Sequence, residues 1–223
     1  YIPFYNSKKP IKSTKKSINE LKKLIQRYPN QYAGLCMELI QGEGGYNIGN
    51  TDFFNSIISI LKNENIPLFI DEVQTFGRTS ELFAAQHFNI IKHADIISIG
   101  KLSQVCATLY RKQLKPDSGI ISQTFTSSTT AIECGYQIIK LLLNENYFGY
   151  KGKNMMLGNY FNKQLKSLNR KIPKKICGPY GLGGMIAFTP NKGEPEKVIN
   201  FVHRMYNNGL MGFISGKNPL RMR

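Results

Sequence analysis

The chain has 223 residues, 41% of them hydrophobic and 20% charged, which is enough apolar material for one sizeable core and excludes a disordered or low-complexity polymer. No uninterrupted apolar stretch approaches the ~20 residues of a membrane-spanning helix. Thirty Lys and Arg against fourteen Asp and Glu give a formal net charge of +16.

That charge points either to a phosphate-bearing partner such as nucleic acid or to solvated surface lysines. The lysines cluster between Lys8 and Lys23 and between Lys151 and Lys175, and the aromatic residues fall in the apolar runs instead of interleaving with them. A stacking platform for nucleic acid needs that interleaving, so solvated faces are the favoured reading. Cys36, Cys106, Cys134 and Cys177 are scattered without a C-x-x-C pair. Three of them sit in apolar runs, where free cysteine is expected as a small buried hydrophobe in a reducing, cytoplasmic setting. His87, His93 and His203 have no ligand-like spacing to cysteine or carboxylate, which argues against zinc. Tyr1 in place of Met, and a close on Leu220-Arg221-Met222-Arg223, read as a partial chain.

In chain order, residues 1–13 read as basic and irregular. Ser17, with Glu20 three positions on, reads as the N-cap of a helix carrying Ile18, Leu21, Leu24 and Ile25. Ala33 to Ile40 reads as a buried strand, followed by the glycine-rich loop Gln41-Gly-Glu43-Gly-Gly-Tyr-Asn-Ile-Gly49. Asn50 or Thr51 caps the next helix, with Phe54, Ile57, Ile58 and Leu61 on one face. A strand ends at Asp71, a short helix lies around Glu81–Phe88, and a second strand ends at Ile99. This alternation is the rhythm of a mostly parallel sheet with helices on both faces. Val105 to Tyr110 reads as one more strand and Thr129 to Leu143 as a long apolar helix. After Asn144–Gly152 the character changes. An amphipathic helix (Met155 to Leu168), a glycine-rich stretch leading into the strand Met185–Phe188, a helix over Glu194 to Tyr206 and two short strands read as a smaller α/β domain.

Two apolar runs break off at polar residues: Leu68-Phe-Ile-Asp71, and Ile96-Ile-Ser-Ile-Gly100-Lys101. In parallel sheets ligands collect at the carboxyl ends of the strands, so Asp71 and Lys101 are expected at one rim. A carboxylate for a pyridine nitrogen and a lysine for an aldehyde are what pyridoxal 5'-phosphate requires. An amine is nucleophilic only when neutral, a state favoured by partial burial beside positive charge.

Four stretches together resemble the class III pyridoxal phosphate-dependent aminotransferases, which include the ornithine, acetylornithine, lysine ε- and 4-aminobutyrate enzymes. They are Glu38-Leu-Ile-Gln-Gly-Glu43-Gly-Gly, Phe69-Ile-Asp71-Glu-Val73-Gln74-Thr with Phe76-Gly-Arg-Thr79, Ala94-Asp-Ile-Ile-Ser-Ile-Gly100-Lys101, and Leu220-Arg221-Met-Arg223. The resemblance implies a fold type I transferase. Residues 1–145 would be the C-terminal half of its large cofactor-binding domain, and residues 146–223 the start of its small domain.

By resemblance Lys101 is the Schiff-base lysine and the proton carrier. Asp71 holds the pyridinium nitrogen, Val73 presses on a ring face and Gln74 reaches the ring hydroxyl. Thr124 resembles the threonine that contacts the cofactor phosphate of a neighbouring subunit, which implies a homodimer with shared sites. Arg221, with Arg223 as the competing register, resembles the arginine that binds the substrate carboxylate, and Glu43 the glutamate that pairs with it. A guanidinium fork suits a carboxylate bidentately where a lysine would not.

The implied activity is transamination of a lysine- or ornithine-like amine donor with 2-oxoglutarate. The alternatives are a racemase, mutase or decarboxylase of the same fold type, or a non-catalytic basic module that binds nucleic acid. The chain departs from the family in several places, among them Thr126 and Ser127 where the family has small glycines. The loop before Phe76 is one residue shorter, and Leu102-Ser-Gln-Val-Cys106 replaces a glycine-rich run. The family's glycine-serine phosphate loop and stacking aromatic, normally upstream, have no counterpart here.

Overall fold

The apolar runs that end at Asp71 and Ile99 form the middle of a four-stranded sheet. The computed structural model describes residues 1–120 and 128–216 and the backbone of residues 221–222. The sheet runs in the order β1 (Leu35–Glu38), β2 (Leu68–Asp71), β3 (Ile96–Ile99) and β4 (Ala107–Tyr110). The first three strands are parallel and β4 is antiparallel to β3. β2 lies between two parallel neighbours with Leu68 and Ile70 buried, as a short β-branched and aromatic run favours.

Asn50 caps α2 (Thr51–Asn63), its side chain accepting from the Phe53 amide at 2.9 Å. The helix buries Phe53, Phe54, Ile57, Ile58 and Leu61. Phe54 stands at the centre of an aromatic cluster, 5.5 Å from Phe53 and 5.1 Å from Phe88 between ring centroids. Phe4 and Tyr5 close over Phe53 at 5.5 and 5.7 Å, fixing the N-terminal segment on this core.

Several expectations change. The first helix, α1, spans Pro10–Arg27 and begins at Pro10, not at Ser17. Proline at the first helical position costs nothing there because its missing N–H would have no partner. Ser17 is instead buried inside the helix, donating to the carbonyls of Pro3 (2.5 Å) and Ser13 (2.9 Å). The strand expected over Ala33 to Ile40 is the shorter β1, with Cys36 exposed; the buried pair Leu39 and Ile40 lies just beyond it. All four cysteines are exposed, contrary to the buried role read for the three that lie in apolar runs. Among the described residues β1 pairs on one side only, β4 is exposed along its whole length, and α4 (Thr129–Asn144) buries just Gly135 and Leu142. An apolar run therefore does not guarantee cover for every residue in it.

By backbone contacts the chain divides into two units. The first comprises Tyr1–Leu39, Gly49–Gly77 and Glu81–Glu145, and the second Ile40–Ile48, Arg78–Ser80 and Asn146–Arg223. The second unit contains α5 (Lys153–Lys171), β5 (Ile176–Tyr180), β6 (Ala187–Pro190), α6 (Pro195–Asn207), β7 (Ile214–Ser215) and β8 (Arg221–Met222). Its sheet is antiparallel in the order β5-β6-β8-β7. β5 occupies a stretch read from its glycines as a lead-in loop, and its pairing with β6 shifts register between Cys177 and Tyr180. β6 starts at Ala187, two residues later than expected. Among the described residues no helix is long and apolar enough to cross a membrane.

Truncating Phe54 removes the ring on which the α2 cluster closes. Phe54→Ala is expected to cost about 3–5 kcal/mol of unfolding free energy, read as a lowered denaturant midpoint with unchanged cooperativity.

Candidate active site

Parallel pairing sets the geometry. Asp71, the last residue of β2, is in register with Ser98 of β3, and the Glu72 amide donates to the Ser98 carbonyl at 2.9 Å. Both strands end at the same rim, where β3 gives way through Gly100 to Lys101. Asp71 is half-buried, and its Oδ1 accepts from the Val73 amide (2.9 Å) and the Ser98 hydroxyl (3.3 Å). Among the described residues Oδ2 accepts nothing, so a carboxylate oxygen remains available to a ligand at the rim.

Val73 turns back toward β3. A Cβ placed on Gly100 would lie 3.4 and 3.6 Å from its two methyl groups, ordinary van der Waals contact. This puts an apolar surface directly beside the residue that precedes Lys101. Gln74 is half-buried in the same turn.

Lys101 opens a 3-10 turn, Lys101–Ser103, with φ of +55°. A non-glycine residue in the left-handed region costs energy and persists only where its surroundings impose it. Here they do. A Cβ on Gly135 of α4 would fall 2.4 Å from the Ser103 carbonyl oxygen, so only glycine lets that helix lie against the turn. Leu102 fills the space over Gly77, where a Cβ would come within 2.8 Å of it and 2.9 Å of Leu142. Ser103 is buried and donates to the Val105 carbonyl at 2.7 Å. Lys101 itself is exposed, which corrects the expectation of partial burial: the turn lifts it clear of the packed layer below.

The sequence reading passed over Glu72. It is completely buried, and it organises the loop that follows β2. Its Oε1 accepts from the Ala85 amide (2.8 Å), and its Oε2 from the Ala84 amide (3.0 Å) and the Thr75 hydroxyl. One carboxylate thus ties the strand end to the start of α3 (Ala84–His87), while Phe76 packs edge-on against Phe83 at 5.3 Å. Burial pushes the Glu72 carboxyl above its ordinary value, the Thr75, Ala85 and Ala84 hydrogen bonds oppose that rise, and the Asp71 charge adds to it. The available signal was a second acid directly after Asp71, at the end of an apolar run. Ser98, a lone hydroxyl among isoleucines, was the corresponding sign for the residue that steadies Asp71.

In the second unit, Glu43 is exposed in the glycine-rich loop. The loop is closed by an Ile40–Ile48 bridge and by the Asn47 amide, which donates to Gln41 Oε1 (3.0 Å) and the Gly44 carbonyl (2.9 Å). The Glu43 carbonyl accepts from the Gly216 amide at 2.8 Å, and neighbouring Ser215 pairs with Arg221 of β8. The backbones of Glu43 and Arg221 are therefore held by one local set of hydrogen bonds. Thr124 and Arg223, together with the Arg221 side chain, lie outside the described residues.

The family model described as "Aminotransferase class-III" matches residues 2–223. The acetylornithine aminotransferase of Aquifex aeolicus is 32% identical over 69% of this chain and 41% of its own length. The mitochondrial 4-aminobutyrate aminotransferase of Sus scrofa is 25% identical over 92% of this chain and 41% of its own. Among solved structures, the lysine aminotransferase of M. tuberculosis superposes with a TM-score of 0.86 at 21% identity, covering all of this chain and 52% of that one. An ornithine δ-aminotransferase from Plasmodium falciparum gives 0.77 at 26% identity, covering 92% and 53%.

The fold is that of the fold type I transferases, and the chain belongs to the class III aminotransferase family. It spans about half, or less, of the length of these relatives. Pyridoxal phosphate dependence is implied by the family, and the residues at the rim fit that cofactor. They offer a half-buried carboxylate with one oxygen unengaged, an apolar side chain beside the strand end and a primary amine at the same edge.

Because burial raises the folded-state value of Glu72, its protonated form favours the folded chain. That contribution is full below the ordinary carboxylate range and is lost as pH climbs through the raised value. Urea denaturation across this window is expected to show, in wild type, a component of stability that falls with pH and that is absent in Glu72→Gln.

Proposed function

We propose that the full-length protein transfers an amino group from a lysine- or ornithine-like donor to 2-oxoglutarate in two half-reactions. One observation carries the reading: Asp71 and Lys101 close adjacent parallel strands at one rim, with Val73 packed beside Gly100. Pyridoxal phosphate, when bound, supplies the electron sink that makes the donor's carbon–hydrogen bond acidic.

The Asp71 carboxylate keeps the ring nitrogen protonated, since an adjacent anion favours the charged form of its partner. The Ser98 hydroxyl and Val73 amide orient that carboxylate. Val73 covers one ring face and Gln74 takes the ring hydroxyl. Lys101 Nζ carries the cofactor and moves the proton at the reacting carbon. Arg221 or Arg223 holds the substrate carboxylate. Glu43 pairs with that arginine while a distal-amine donor is bound and releases it for the dicarboxylic acceptor, so one pocket serves two charge layouts. The support for the Glu43 and Arg221 roles is their common backbone anchoring.

A homodimer, with Thr124 reaching the neighbouring subunit's cofactor phosphate, belongs to the same proposal. Ile132, Tyr136 and Leu143 support it: they lie on one face of α4 and are 50%, 58% and 59% exposed.

Full-length wild type loaded with pyridoxal phosphate and treated with borohydride is expected to retain the cofactor covalently, and Lys101→Ala to retain none. In a donor panel with 2-oxoglutarate, lysine or ornithine is expected to yield glutamate. Glutamate from acetylornithine or 4-aminobutyrate alone would reassign the donor, and a racemised donor without glutamate would replace transamination altogether. Tyr136→Glu is expected to shift the sedimentation of the full-length protein toward monomer.

A further inference from the structure

The rim opposite Asp71 and Lys101, where β2 and β3 begin and β4 ends, carries a cleft that the proposed reaction does not use. It encloses about 250 Å³ between Ile58, Leu61, Ile66 and Leu68 on its apolar side and Lys62, Lys92, His93, Asp95 and Arg111 on its polar side. It continues past Asn65, Pro67 and Gln113 into a second groove of about 380 Å³, sharing Leu61, Lys62, Ile66, Asp95 and Arg111.

The charge in this cleft is unbalanced. Asp95 is its one carboxylate and is already engaged, Oδ2 accepting from the Leu68 amide at 2.9 Å and Oδ1 pairing with Arg111 Nε at 3.0 Å. Arg111 is also fixed by bonds to the carbonyls of Ala94 (2.9 Å) and Lys92 (2.5 Å), which hold its guanidinium fork rigid. Among the described residues, Arg111 Nη1 and the ammonium groups of Lys62 and Lys92 have no protein partner. His93 stands among them half-buried. Burial, then the charges of Lys62, Lys92 and Arg111, hold its imidazole below the ordinary histidine value, and Asp95 alone opposes them. These cations come from three separate elements: α2, the turn before β3 and the end of β4. They converge without a local sequence motif.

We propose that this cleft binds a phosphate-type dianion, free or carried as a phosphomonoester. A dianion would offset the unpaired positive charge, meet a pre-positioned arginine and donate nothing in return, which suits a site lined by donors. The apolar side gives an organic substituent somewhere to pack. Because the anion stabilises the imidazolium, binding takes up a proton at His93, and the affinity for an anion that stays doubly charged rises as pH falls toward its titration range.

The test uses full-length protein labelled at histidine, with His93→Gln identifying the signal. Sulfate, a dianion throughout the range, is expected to raise the His93 titration midpoint saturably, whereas chloride at equal ionic strength is not. Lys62→Ala with Lys92→Ala, both exposed positions, is expected to weaken inorganic phosphate binding about tenfold. Equal affinity for inorganic phosphate and phenyl phosphate assigns the site to the free anion, and tighter phenyl phosphate binding to a monoester; both support the proposal. Equal effects of sulfate and chloride, a phosphate Kd above about 10 mM, or undiminished affinity in the double variant would overturn it. None of these readouts involves transamination, so the cleft and the proposed activity stand or fall separately.

Discussion

Parallel pairing of β2 with β3 is the constraint from which the candidate site follows. Two parallel strands end at the same edge, so whatever polar residues terminate them must meet there. The Asp71–Ser98 register gives the carboxylate a hydroxyl from the neighbouring strand, and the next bond, from the Glu72 amide to the Ser98 carbonyl, continues the ladder into the turn. A slip of one residue would point Asp71 to the other face of the sheet and separate it from the Ser98 hydroxyl.

A second constraint sits beneath the first. The loop after β2 must leave the sheet, turn and re-enter as a short helix, and Glu72 makes that path definite by gathering two amides and a hydroxyl from residues three, twelve and thirteen positions away. Burying a carboxylate is costly, and three donors offset much of that cost. The same group thereby becomes sensitive to its neighbour's charge, since Asp71 adds to the upward pressure on its titration.

The two strand ends were readable because each is local: a short Ile-rich run with a polar stop. The Asn50 cap and the length of α4 were readable for the same reason. What was not readable depended on partners distant in sequence. Ser17 looked like a cap because its residue type favours caps, but Pro10 opens the helix and the Pro3 carbonyl claims the hydroxyl. The exposure of Cys36 and of β4 depends on what lies over a strand, which hydropathy along the strand does not encode. Glu72 was overlooked because a charged residue next to a candidate ligand reads as solvated until its donors are seen. The basic cleft assembles from three segments whose lysines look unremarkable in a chain carrying thirty basic residues.

The left-handed backbone at Lys101 separates the amine from the conformation that presents it. The bend is enforced from outside, by a helix backbone over Ser103 and by Leu102 lodged above Gly77. A side chain grafted at this position would inherit the same launch direction whatever its chemistry. Evolutionary loss of the amine would leave the turn well formed, whereas enlargement of Gly135, far away in sequence, would distort the pedestal with the amine still attached.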